Sequence, residues 1–219
     1  EQGIISNSSS SMRVTVTGSA AGGLVETNMG AITQSFATGA VTGATAAGGL
    51  VANAWGTITD SHATGAVTGS VSVGGLVGFA GPLTINNSYA IGNVTSSGNG
   101  VSDLGYGGLV GMTDSETVIS NSYAIGAVSG TNFAGGLVGW NRGTLNNVYA
   151  FGKVTAQQAL SGGVAGYSNG RITNAYFNSS ANAGLQGIGQ SNAGGGTGAA
   201  GLTEAQMRNP ASFAGFSFT

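Results

Sequence analysis

A tetrapeptide, Gly-Gly-Leu-Val, recurs at Gly22–Val25, Gly48–Val51, Gly74–Val77, Gly107–Val110 and Gly135–Val138. A weakened copy, Gly-Gly-Val-Ala, stands at Gly162–Ala165, and the steps between copies are 26, 26, 33, 28 and 27 residues. A period in this range constrains the fold more than any other feature of the chain. Each repeat is too small to bury its own apolar side and must stack on its neighbours. Collagen is excluded, because Gly (43 of 219 residues) follows no three-residue period and Pro numbers only 2. Disorder is opposed by a hydrophobic fraction of 41% and a net charge of only −2.

A second motif follows each Gly-Gly-Leu. It reads Gln34-Ser35-Phe36-Ala37, Asp60-Ser61-His62-Ala63, Asn87-Ser88-Tyr89-Ala90, Asn121-Ser122-Tyr123-Ala124 and Asn147-Val148-Tyr149-Ala150, and it decays at Asn174-Ala175-Tyr176-Phe177. A Val-Thr pair comes next: Val16-Thr17, Val41-Thr42, Val67-Thr68, Val94-Thr95, Val128-Ser129 and Val154-Thr155. Short segments rich in Val, Ile, Thr and Tyr and punctuated by Gly suit strands rather than helices.

The expected fold is therefore all-β: a right-handed parallel β-solenoid of about six to seven turns, with about three short strands per turn. Turns stacked roughly 4.8 Å apart would pile like residues into ladders. A Leu ladder should run through Leu24, Leu50, Leu76, Leu109, Leu137 and Val164, and an aromatic ladder through Phe36, His62, Tyr89, Tyr123, Tyr149 and Tyr176. A buried amide-rich ladder should run through Gln34, Asp60, Asn87, Asn121, Asn147 and Asn174. Strand alternation places Ile32, Gln34 and Phe36 on one side. The Gly pairs should supply positive φ or close backbone approach at corners.

Spacing also locates a longer loop at Ser96–Tyr106 and a small bulge near Thr113–Thr117. Residues 1–180 are expected to form the solenoid and 181–219 a C-terminal cap. Within that cap, Gly184–Gly201 reads as a Gly-rich loop. Thr203-Glu204-Ala205-Gln206 has the form of a capping box opening a short helix that stops before Pro210. The chain opens at Glu1 on half a repeat, which reads as a processed or excised piece of a longer protein.

Gly74-Gly75-Leu76-Val77-Gly78 followed by Asn87-Ser88-Tyr89-Ala90-Ile91-Gly92-Asn93-Val94 resembles the GLUG repeat, and the resemblance covers about residues 3–180. The tail, Gly201 to Phe216, looks like the segment that often closes such arrays. These repeats occur in large bacterial surface and secreted proteins, including filamentous-haemagglutinin-like adhesins and the non-catalytic part of some immunoglobulin A peptidases. The resemblance implies architecture and an extracellular or cell-surface location, not a reaction.

Chemistry is sparse. Five basic residues spread over the length leave no phosphate-neutralising patch for nucleic acid. No apolar run approaches the ~20 residues of a membrane helix. Cys is absent, which removes thiol chemistry. Asp60-Ser61-His62 looks like a triad fragment, but both outer residues occupy structural columns, and Asp103 and Asp114 form no acid/base pair. Asp114-Ser115-Glu116 could hold a weak Ca²⁺, with a solvated turn the plainer reading.

The expectation is a non-enzymatic adhesive or structural module without cofactor. It would bind a glycan, a host or neighbour-cell protein, or other copies of itself. One rival is an ice-binding module using the column Thr17, Thr42, Thr68, Thr95, Ser129 and Thr155 beside Thr33, Thr59, Asn86, Ser120, Asn146 and Thr173. The other is a subunit of an end-to-end filament.

Overall fold

The computed structural model describes residues 3–98, 105–156, 160–192 and 198–216. Most of the Ser96–Tyr106 loop, with Asp103, lies outside the described residues. Those described form a parallel β-solenoid of about seven turns. One 17-strand sheet and two six-strand sheets run along it.

The register is set by the repeat. Val25, Val51, Val77, Val110, Val138 and Ala165 align one above another, as do Ile32, Ile58, Ile85, Ile119, Leu145 and Ile172. Backbone amides tie each Leu of the Gly-Gly-Leu column to the carbonyl of the next, from Leu24 to Leu50 and on to Val164, at 2.8–2.9 Å. Leu50, Leu76, Leu109, Leu137 and Val164 are fully buried, and the partly buried Leu24 packs on them. A second core lies between the two smaller sheets, built from Val41, Val67, Val94 and Val128 against Ala47, Val73, Tyr106 and Ala134. Isolated turns could bury neither core, so stacking and folding are one process.

The Gly pairs act through close approach rather than positive φ. A Cβ on Gly49 would land on the carbonyl oxygen of Gly75 in the next turn, and one on Gly48 on the carbonyl of Val51. Left-handed backbone falls instead on the amide column. Asn7, Gln34, Asp60, Asn87, Asn121, Asn147 and Asn174 have φ of 47–51° and are all the positive-φ non-Gly residues among those described. Asn and Asp tolerate this conformation best, because their short polar side chains bond locally.

This corner overturns the alternation expected for Ile32, Gln34 and Phe36. The left-handed residue breaks the pleat, so Ile32, Ser35 and Ala37 point inward while Gln34 and Phe36 face out. The amide ladder is therefore not buried but lies on the surface. The buried residue of the motif is Ser. Ser35, Ser61, Ser88 and Ser122 each donate Oγ–H to the carbonyl two residues back. Each also accepts the backbone N–H of the Ser one turn below. The hydroxyl thus replaces the ladder bond lost where the backbone turns.

Two further expectations shift. The first Thr of the Val-Thr column is Thr15, not Thr17, since Val14-Thr15 pairs with Val41-Thr42. The Gly-rich stretch after residue 180 is not all loop. Strands Ile188–Ser191 and Ala199–Leu202 pair with Ala165–Ser168 and Arg171–Asn178 and extend the large sheet. The bulge near Thr113–Thr117 is a turn, in which Asp114 accepts from Glu116 N–H and Ser115 Oγ. Those bonds hold the Asp114 carboxyl below its ordinary pKa, the Glu116 amide contributing most.

At the C-terminal end the edge of the Val-Thr sheet is closed. Asn182 accepts the Val154 N–H and donates to Gly152 O and Asn178 O, standing in for a further strand. Thr203 caps helix Glu204–Met207 with the reciprocal Gln206 bond of a capping box, and a 3-10 turn follows at Pro210–Ser212. In the first turns described, Ile4, Met12 and Met29 are 75%, 72% and 63% exposed.

Candidate functional site

The outward-facing columns are what a partner would meet. In the aromatic column Phe36, His62, Tyr89, Tyr123 and Tyr149 stack with centroids 4.7–5.0 Å apart and planes within 2–4°. Their faces are covered by one another, so the column offers ring edges and phenol hydroxyls to the surroundings. Burial drives the Tyr149 pKa up to about 12 and raises that of Tyr123, so both phenols remain neutral donors. Desolvation lowers the His62 pKa, which keeps the imidazole neutral in the stack.

The amide column runs beside it. Asn87 Nδ2 donates to Asp60 Oδ1, Asn121 Nδ2 to Asn86 Oδ1, Asn147 Nδ2 to Asn121 Oδ1, and Asn174 Nδ2 to Asn147 Oδ1. Each carboxamide has two N–H groups and two acceptor lone pairs, so one such bond per rung leaves polar capacity facing outward.

The tail returns to these columns. Phe213 packs edge-on to Tyr176, with centroids 5.3 Å apart at 77°, and tilts against Tyr149 at 5.6 Å. Phe216 packs on both tyrosines at 6.0–6.3 Å, and Tyr176 donates its hydroxyl to Ala214 O at 3.2 Å. Gly215 crosses so close to Asn174 Nδ2 that no Cβ would fit. Past Gly215 and Phe216 a groove of about 550 Å³ continues along Asn147, Asn121 and Asn87 beside Tyr149 and Tyr123.

The residues singled out for ice binding do not form one face. Thr42, Thr68, Thr95, Ser129 and Thr155 lie in a six-strand sheet, whereas Thr33, Thr59, Asn86, Ser120, Asn146 and Thr173 lie in the large sheet. Thr17 stands outside the column. Asp60 and His62 are held in the amide and aromatic columns. Among the described residues no three His, Asp or Glu side chains gather as a metal site.

Sequence reasoning missed a second aromatic group. Phe133, Trp140 and Tyr167 meet at 5.2–5.7 Å, and Arg142 lies 4.1 Å over the Trp140 ring. Met112, Trp140 and Tyr167 share one register position, a signal that mixed residue types conceal.

The fold and its surface columns thus define a structural repeat rod, a parallel β-solenoid. Residues 43–68 match the family profile described as the GLUG motif, and the architecture fits a GLUG-repeat protein. Against curated proteins the chain finds no significant match. Among the described residues no helix is long and apolar enough to cross a membrane.

Proposed function

We propose that this chain is a non-enzymatic structural and adhesive module of an extracellular bacterial protein: a stiff rod whose side is an interaction surface. The observation that carries the reading is the outward run of neutral amides from Asn121 to Asn174, beside the phenols of Tyr89, Tyr123 and Tyr149, on a two-cored scaffold. Such a surface binds through many weak, repeated groups, and the rod keeps them in fixed relative positions. Asp60, Asp114 and His62 serve a left-handed corner, a turn and a ring stack respectively. Asn182 already satisfies the edge of the Val-Thr sheet, which opposes end-to-end pairing through that sheet.

Beads coated with the folded chain should adhere to cells or matrix more strongly than beads coated with heat-denatured chain. Equal adhesion sinks the adhesive role. Antibody should label the protein on intact producing cells; labelling only after permeabilisation sinks the extracellular one.

A further inference from the structure

We propose that the rungs beside Gly215 and Phe216 form a binding groove for an uncharged, turn-forming peptide carrying aromatic side chains. The proposal rests on the reading of the rod's side as an interaction surface, and it names the class of partner.

The tail shows how such a segment is held. Phe213-Ala214-Gly215-Phe216 is itself an uncharged aromatic peptide, folded as a turn that the Phe216 N–H closes onto Phe213 O, and it is seated on the last two rungs. Three contact types hold it. Guest rings pack tilted or edge-on against the tyrosine column, at 51–77°. A rung hydroxyl donates to a guest carbonyl, Tyr176 to Ala214. The glycine permits close passage over the amide column.

The tyrosine and asparagine columns continue beyond the rungs that Phe213–Phe216 covers. Tyr149 and Tyr123 stand in register with Tyr176, and Asn147 and Asn121 with Asn174. The groove that begins at Gly215 and Phe216 runs along these residues. Among the described residues no charged side chain lines it.

The ring geometry favours a peptide over a saccharide. A sugar stacks its C–H face on an aromatic face, but the faces of Tyr89 and Tyr123 are covered by their neighbours in the column. What remains is the electropositive ring edge, whose preferred partner is the face of another aromatic ring. Spare N–H and C=O capacity of the amides along the rungs can meet the peptide groups of a turn that do not bond within it. The resident tail gains from being tethered, so a free peptide of the same sequence binds more weakly than the tail does.

The test uses the full chain and a fluorescein-labelled, end-blocked peptide with the sequence Ser212–Phe216. Fluorescence polarisation should rise and saturate. Tyr123→Leu removes ring edges and hydroxyl from an open rung and should weaken binding about fivefold, the worth of one aromatic pair. Asn121→Gly keeps the left-handed backbone while deleting the amide, and it should also weaken binding. It remains informative if Tyr123→Leu does not fold, as circular dichroism will show. A peptide with both Phe replaced by Ala should not bind. The proposal is overturned by the absence of saturation up to millimolar peptide, by equal binding of the Ala peptide, or by indifference to both variants. If maltohexaose binds with that variant sensitivity and the peptide does not, the groove is a saccharide site. The peptide proposal then falls while the interaction-surface reading stands.

Discussion

The Asn of the Asn-Ser-Tyr motif sets the direction of every side chain that follows it. Asn87 has a φ of 49° and an exposed side chain, so its backbone conformation matters more than its burial. Asn87→Gly should leave stability within about 0.5 kcal/mol, whereas Asn87→Val should cost about 1–2 kcal/mol from the left-handed strain on a β-branched residue. Urea denaturation of the two variants measures the difference. His62 makes a pH-dependent contribution. Its imidazole is sandwiched at 5.0 Å from Phe36 and 4.7 Å from Tyr89, and desolvation lowers its pKa from the ordinary 6.5. The unfolded chain therefore takes up a proton at a higher pH than the folded one. Stability should be full above pH 6.5 and fall as the pH drops from there through the lowered folded value. In His62→Tyr this part of the pH dependence should vanish from the thermal midpoint.

At the scale of elements, columns were legible and directions were not. Identical residues at a fixed period named the Leu, aromatic and amide ladders, because a parallel stack puts equivalent positions above one another. Which way each column faces depends on backbone dihedrals, and one left-handed residue reversed the parity expected beyond Ile32. Thr17 was misplaced for a similar reason: Val14-Thr15 and Val16-Thr17 are equivalent in sequence, and only the pairing with Val41-Thr42 separates them. The helix at Glu204–Met207 was readable because a capping box is local. The return of Phe213 to Tyr149 and Tyr176 was not, since nothing in a local pattern encodes a contact across that distance. The buried Ser column was visible in the motif but overlooked for its larger neighbours. Ser122→Ala would leave the Ser88 N–H without its acceptor and remove the bond to Ser120 O. We expect a loss of about 1–3 kcal/mol in denaturant unfolding and faster exchange of the Ser88 amide.

Over the whole molecule, stability should vary along the axis. Each turn is supported by those above and below, and the two ends are unlike. Asn182 closes the edge of the Val-Thr sheet toward one end, while Ile4, Met12 and Met29 lie exposed toward the other. Hydrogen exchange should be fastest in the turn containing Ile4–Ser6 and slowest around Leu76, Leu109 and Leu137; uniform protection would contradict a stack of coupled turns. The aromatic column carries a consequence for spectroscopy. Five rings held nearly parallel in one stack, with neighbours 4.7–5.0 Å apart, bring their electronic transitions close enough to couple. Native protein should thus show a near-ultraviolet dichroism band that no single tyrosine produces. A slip of one turn against the next would abolish it, giving an optical gauge of alignment across five successive coils.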